Sequence, residues 1–174
     1  MKRDISLWSF SGFSLVSLGG TILHFLYDWT NESILIAPFS GVNESTWEHM
    51  KLLFFPLFVF ALVQSFFFKE YKNFWWIKLF STLLGLTLIP VMFYTYNGCF
   101  GRSPDWLNIT FFFIAAAVSF TLENALFKKN SALFPRPKLA FLTLVILGGL
   151  FVIFTFLPPH IPLFLCPVAN KYGI

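Results

Sequence analysis

The chain has 174 residues, of which 57% are hydrophobic and only 11% are charged. Soluble domains carry roughly 25% charged residues, so this composition excludes an ordinary water-soluble globule. The net charge of +4 is modest, and its distribution along the chain indicates membrane orientation and not a nucleic-acid partner.

Five apolar segments are long enough to cross a bilayer, which takes about 20 helical residues. In chain order they are 5–26, 50–68, 74–94, 106–127 and 139–157. The first has no Ala-x-Ala-like cleavage site, so we expect it to remain in the protein as a helix. The sequence therefore predicts a single transmembrane domain over residues 1–174, an all-α bundle of five membrane-spanning helices embedded in a lipid bilayer.

Basic residues are divided unequally between the two faces of this bundle. One face would carry nine of them, namely Lys2, Arg3, Lys69, Lys72, Lys78, Lys128, Lys129, Arg136 and Lys138. The other would carry only Lys51, Arg102 and Lys171. Because short cytoplasmic loops are enriched in Lys and Arg, we predict a cytoplasmic N-terminus and an extracytoplasmic C-terminus for a multi-pass protein of the cell membrane.

The connections on the outer face carry their own signals. The first, 27–47, is long for a compact helix bundle and could be functional. The connection 95–105 contains Asn97-Gly98 and a Gly-Arg-Ser-Pro run at 101–104, both of which predict turns. The proline-rich stretch 158–162 is expected to leave the last helix and cross the outer surface.

The segment 43–51 concentrates polar chemistry directly before an apolar span, and it reads Asn-Glu-Ser-Thr-Trp-Glu-His-Met-Lys. Polar groups at the mouth of a membrane helix are costly to place and mark candidate functional sites. All three histidines and five of the eight acids fall on the predicted outer face, namely His24, His49, His160, Asp28, Glu32, Glu44, Glu48 and Asp105.

Some of these side chains could share a metal ion. His24 and Asp28 are four residues apart and lie on one helix face, as do Glu44 and Glu48 if the second helix begins near residue 43. Imidazoles and carboxylates are the ligands of zinc and other divalent ions. We therefore consider His24, Asp28 and His49 candidate metal ligands, although the spacing matches no standard zinc motif.

The same cluster could work without metal. Glu48, His49 and Glu44 are candidate catalytic residues, since a carboxylate–histidine pair can act as general base and acid. Polar and aromatic side chains near the same face would wall a substrate pocket, namely Asn43, Trp47, Lys51, Tyr94 and Tyr96.

A purely structural role also fits these residues. The run Ser45-Thr46-Trp47-Glu48 matches a capping box, in which Ser45 and Glu48 satisfy backbone N–H groups at a helix start. Both glutamates would complement the helix dipole there, and Lys51 could pair with either of them. The structural and the chemical interpretations both stay open at this point.

Three other residues lead to expectations of their own. Glu123, inside the fourth span, could relay protons, but we expect it to reach toward Lys128 at the membrane interface. Cys99 and Cys166 are the only cysteines. Both are predicted on the outer side, where they could form a disulfide or remain two free thiols.

Three stretches together resemble a known family. They are Leu23–Trp29, Phe39–Lys51 and the tail Pro158–Ile174. They are similar to a family of small bacterial membrane proteins classed as a domain of unknown function, number 6512. The resemblance extends over essentially the whole chain and implies a multi-pass membrane protein found mainly in Firmicutes, with no established activity.

The tail departs from the family pattern. Similar tails tend to read Pro-Leu-Phe-x-Asp-Pro-x-Thr-Gly, whereas this chain has Cys166 at the aspartate position and Ala169-Asn170 in place of Thr-Gly. A site that used that aspartate would be altered here.

Three functions are compatible with the sequence. The first is a metal-assisted or acid–base hydrolase of lipid or envelope material, with Glu48 as the base. The second is a transport or small-ligand-binding subunit, with the first outer loop as a lid. The third is an accessory protein that docks a membrane partner through its outer polar face.

Overall fold

The computed structural model describes residues 4–129 and 136–174. Five helices account for most of this chain: α1 (Ile5–Trp29), α2 (Thr46–Phe67), α3 (Phe74–Phe100), α4 (Asp105–Lys129) and α5 (Pro137–Phe156). All five are long and apolar enough to span a membrane, which confirms the predicted all-α class with five candidate spans. The rest of the described chain is irregular, apart from a short 3-10 helix at Pro162–Phe164 and an isolated bridge between Leu165 and Tyr172.

Successive helices run in opposite directions, so the bundle has two distinct ends. We call the end at which α1, α3 and α5 finish and α2 and α4 begin the polar end. There the imidazole rings of His24 on α1 and His49 on α2 lie 5.8 Å apart. Lys51 of α2 reaches Thr155 near the end of α5. The polar chemistry predicted at 43–51 therefore meets both the first and the last helix.

The opposite end, which we call the basic end, is closed by aromatic packing. Phe68, just after α2, lies 6.2 Å from Phe74 at the start of α3 and 5.1 Å from Phe127 near the end of α4. Six of the predicted inner cations are exposed here: Lys69, Lys72, Lys128, Lys129, Arg136 and Lys138. Two further predicted inner cations, Lys2 and Arg3, lie outside the described residues.

Helix boundaries differ most from the sequence prediction at the start of α2 and at the end of α3, in each case for a local reason. Helix α2 begins at Thr46 and not near residue 50, because the Ser45 hydroxyl caps it by accepting the Glu48 N–H. Helix α3 continues through the predicted turn at Asn97-Gly98, which was wrong. The Asn97 side chain donates to the Phe93 carbonyl one turn earlier, and the chain turns instead at Gly101, where φ is +85°.

Helix α2 lies at the centre of the bundle and contacts all four other helices. Its side chains Leu53 and Phe54 have no exposed surface. Helix α1 packs closely against its neighbours at Gly12 and Gly20. An added Cβ would overlap the rings of Phe60 and Phe120 at Gly12 and the ring of Phe112 at Gly20. Small residues of this kind let membrane helices approach one another without a hydrophobic driving force.

A buried ion pair joins α3 and α4 toward the basic end. The Lys78 ammonium lies 2.7 Å from the Glu123 carboxylate, and the two side chains are 2% and 0% exposed. The ammonium also lies over the rings of Phe60 and Phe120, 5.2 and 5.9 Å from their centroids. Lys78 was counted among the cations of the inner face, and Glu123 was expected to reach toward Lys128. Both expectations were wrong, because the two groups pair with each other inside the bundle.

Replacing one member of this pair should be more damaging than replacing both. Glu123→Gln or Lys78→Met leaves a buried charge unpaired and should lower the free energy of unfolding by about 3–5 kcal/mol, whereas the double variant should be roughly as stable as the wild type or more so. Equilibrium unfolding in detergent micelles measures this, with Lys128→Met on the exposed end of α4 as the control. Single variants within about 1 kcal/mol of the wild type would contradict the assignment, since surface pairs contribute only that much.

Candidate functional site: a pocket at the polar end

The loop between α1 and α2 is folded back onto the end of α1. The Ser40 hydroxyl accepts the Tyr27 N–H at 2.9 Å and donates to the Leu23 carbonyl. The Gly41 N–H donates to the same carbonyl at 3.2 Å. Because Ser40 has no exposed surface, these bonds fix the loop and carry residues 42–45 to the start of α2.

The side chain of Lys51 binds this loop from inside the bundle. Its side chain is fully buried, and its ammonium lies 2.5 Å from a Glu48 carboxylate oxygen. The ammonium also donates to the Ala37 carbonyl and to the Thr155 hydroxyl, both at 2.9 Å. A lysine ammonium has three hydrogens to donate, so all of them are used in joining the loop, α2 and α5.

Glu48 is committed to the same arrangement. It is 3% exposed, and the carboxylate oxygen that faces Lys51 also accepts the Val42 N–H at 3.1 Å. The predicted capping box is only half formed, because the Ser45 N–H donates to Asn43 Oδ1 and not to Glu48. Glu48 and Lys51 therefore hold the loop together and do not line the pocket described next.

Glu44, by contrast, is open and faces two imidazoles. Its side chain is 48% exposed, and its carboxylate oxygens lie 3.5 Å from His49 Nε2 and 3.9 Å from His24 Nε2. His49 Nδ1 is 2.9 Å from the Ser45 carbonyl. Since a carbonyl only accepts, Nδ1 must carry the hydrogen, which leaves the lone pair of Nε2 in the neutral ring directed toward Glu44.

These three side chains form one wall of a cavity of about 420 Å³. The facing wall is polar and comes from the end of α3, the turn after it and the start of α4: Asn97, Arg102, Ser103, Asp105 and Asn108. The base is apolar, formed by Ile89, Phe93, Phe111 and Phe112, and the tail contributes Pro167 and Val168 to the rim. We call this cavity the polar-end pocket.

The facing wall is held in place by its own hydrogen bonds. The Ser103 hydroxyl donates to Asn108 Oδ1 at 2.7 Å and lies 3.3 Å from the Asn97 amide nitrogen, while the Ser103 N–H donates to Asn97 Oδ1 at 2.7 Å. Arg102 and Asp105 flank this network and form no ion pair with any residue between 4 and 129 or between 136 and 174. Both charges are thus available to a ligand.

The structure brings together only some of the residues that the sequence singled out. His24, Glu44 and His49 converge. Asp28 is exposed, and its carboxylate makes no hydrogen bond or ion pair within the described chain. In that part of the protein, no three His, Cys, Asp or Glu side chains are arranged to hold a metal ion. The roles assigned to His24, Asp28 and His49 as metal ligands remain predictions.

The residues predicted to wall a substrate pocket lie elsewhere. Asn43 donates to the Gly173 carbonyl and so fastens the tail. Trp47 packs in an aromatic cluster, 4.4 Å from Phe151 and 4.7 Å from Phe164. Tyr94 lies edge-on to Phe93 of its own helix, and Tyr96 lies against Phe100 and 6.3 Å from Phe111 of α4. None of these side chains, nor that of buried Lys51, lines the polar-end pocket, and their assignment to a substrate pocket remains a prediction.

The residues of the facing wall were not identified from the sequence as part of a site. The turn signals at 101–104 were noted, but nothing in the chain places Arg102 and Asp105 opposite Glu44, some 60 residues earlier in the sequence. Only the tertiary packing does so, in which α4 lies against both α1 and α3. The two cysteines are both free, with Cys99 exposed and Cys166 buried, so the free-thiol alternative is the one that the structure contains.

Comparison with known proteins gives one result. No curated protein and no solved structure matches the chain. A family model described as a family of unknown function, DUF6512, matches residues 1–174. This confirms the resemblance drawn from the three sequence stretches. The protein therefore belongs to the DUF6512 family of unknown function.

Proposed function

We propose that this protein binds a small molecule in the polar-end pocket, as a ligand-binding or transport subunit of its membrane. The observation that carries the proposal is the pocket itself, with charged and amide side chains on two walls above an apolar base. Small-molecule sites combine a mostly apolar cavity of roughly 300–1,000 Å³ with a few placed polar groups. The polar-end pocket, at about 420 Å³, has this form.

The different surroundings of Glu48 and Glu44 support the proposal. Glu48 is neutralised by Lys51, whereas Glu44 keeps an exposed carboxylate in the pocket wall. The start of α2 is already capped by the Ser45 hydroxyl, so the cap does not require the Glu44 carboxylate. Glu44 and the two histidines are therefore free to contact a ligand.

A ligand that binds only the folded state should raise the melting temperature. At a hundred times its dissociation constant, a ligand adds about 2.7 kcal/mol, which corresponds to roughly 5–10 °C for a protein of this size. The measurement is thermal unfolding of the purified protein in detergent, screened with amino acids, amines, carboxylates, phosphate esters and short-chain lipids. At least one compound should give such a shift, and His49→Ala should lose it while Glu32→Ala, an exposed acid of the same loop outside the pocket, keeps it. A screen with no shift, or shifts equal in His49→Ala, would contradict the proposal.

The second candidate is hydrolysis at the same site. It is favoured by one observation: His49 Nδ1 bonds to the Ser45 carbonyl, which leaves Nε2 free as a base beside Glu44. In this version His49 takes the role first given to Glu48. Mass spectrometry of each stabilising compound after incubation separates the candidates, because a bound ligand is recovered intact and a substrate is recovered cleaved. Metal analysis of the same samples tests the zinc-assisted form.

The polar end faces the extracytoplasmic side in this proposal. The support is the exposure of six Lys and Arg side chains at the basic end, as expected of a cytoplasmic face. The pocket would then take its ligand from outside the cell or from the outer leaflet.

Cys99 is a natural reporter of this orientation, because it is exposed at the polar end whereas Cys166 is buried. A membrane-impermeant maleimide added to intact cells should label the protein, and Cys99→Ser should abolish the labelling. Cys166→Ser should leave it unchanged. Labelling that appears only after the cells are opened would reverse the orientation.

A further inference from the structure

We infer that the ligand is a zwitterion whose protonated amine binds among Glu44, His24 and His49 and whose acidic group binds at Arg102. The inference rests on the proposed function and names the chemical class that the same pocket would take. The class is an amine and an acid on one small molecule that also carries an apolar substituent.

In the first wall, the Glu44 carboxylate and the Nε2 of neutral His49 face each other, and both are hydrogen-bond acceptors. Glu44 offers only acceptor oxygens, and the hydrogen of neutral His49 is used by the Ser45 carbonyl. The gaps from Glu44 to His49 Nε2 and His24 Nε2, 3.5 and 3.9 Å, are too long for direct hydrogen bonds. Facing acceptors at these distances are best satisfied by a group that donates several hydrogen bonds and carries positive charge, and a primary ammonium has three N–H donors.

The opposite wall supplies the complementary charge. The Arg102 guanidinium has five N–H donors in a fork that suits a carboxylate or phosphate, and it forms no ion pair within the described chain. The Asn97 and Asn108 side chains belong to the same lining. An acidic group of the ligand placed there would form the ion pair with Arg102 that the described protein does not supply.

The charge balance of the lining favours a zwitterion over an anion. The lining holds two carboxylates, Glu44 and Asp105, and a single guanidinium, that of Arg102. Asp105 lies in the first turn of α4, where the helix dipole stabilises its charge. An anion without an amine would pair with Arg102 but would leave Glu44 without a positive partner, whereas a molecule with both charges pairs with both residues.

The apolar base defines the remainder of the ligand. Ile89, Phe93, Phe111 and Phe112 offer no hydrogen bonds there, so the group that enters must be apolar. A free amino acid with an aliphatic or aromatic side chain has this chemistry, and so does the ammonium–phosphate headgroup of an aminophospholipid. The two sources share one recognition pattern and differ in how the ligand reaches the pocket.

Matched probes test the assignment by isothermal titration calorimetry on the purified protein. Leucine carries both charges, leucinamide only the amine, and N-acetyl-leucine only the acid. Dihexanoyl phosphatidylethanolamine presents the same two charges as a lipid, with dihexanoyl phosphatidylglycerol as its control without an amine. A zinc chloride titration covers a metal ion at the same three side chains.

The variants separate the two walls. Glu44→Gln should weaken leucine or the aminophospholipid roughly tenfold or more, since a charge-assisted hydrogen bond is lost. Arg102→Gln should weaken the zwitterion but leave leucinamide within about twofold of its wild-type affinity. Glu32→Gln and Lys171→Gln, matched charge removals outside the pocket, should change nothing.

The outcomes divide cleanly. Glu44-dependent binding of leucine or of the aminophospholipid, at least tenfold tighter than the matching probe without an amine, supports the inference and identifies the source. Equal binding of N-acetyl-leucine and leucine overturns it, as does zinc binding that excludes every amine probe. Failure of all amine probes also overturns it. In that case the proposed function survives if the thermal screen yields a ligand of another class that depends on His49, and fails if the screen is empty.

Discussion

The ion pair between Lys51 and Glu48 is the constraint on which the polar end depends. A lysine with no exposed surface in a candidate membrane helix requires a counter-charge and acceptors for all its hydrogens, because an unpaired buried charge is costly. Glu48 supplies the charge, and Ala37 and Thr155 supply the acceptors. The loop before α2 and the end of α5 are thereby drawn to one point.

The pocket is a consequence of that arrangement. Lys51 and Ser40 hold the loop in place. Glu44, the residue directly before the Ser45 cap, is thereby directed toward His24 of α1. Helices α3 and α4 then close the other side. The chain thus uses one glutamate for structure and keeps another, four residues away, for the open wall.

The two buried pairs show how far sequence reasoning extends. The five spans follow from hydropathy alone, since a bilayer admits few alternatives to helices. The partner of Lys51 was among the predicted options, because residues three apart on a helix face one another. The pairing of Lys78 with Glu123 was not foreseen, since it depends on how α3 and α4 lie together and not on spacing within one helix.

The candidate site was predictable to the same extent. His24, Glu44 and His49 were identified from their types and from their positions at predicted helix ends. Arg102 was counted only as a basic residue and Asn97 only as a turn former, because their roles depend on the network through Ser103 that closes the facing wall. Local patterns gave one wall, and the tertiary fold gave the other.

The most direct test compares the same substitution at the two glutamates. Glu48→Gln and Glu44→Gln remove one charge each, four residues apart, and equilibrium unfolding in detergent gives the free energy of both. Glu48→Gln should cost about 3–5 kcal/mol, because Lys51 is left buried and unpaired, while Glu44→Gln should stay within about 1 kcal/mol of the wild type. Equal losses, or a larger loss at Glu44, would contradict the separation of a structural pair from an open binding wall.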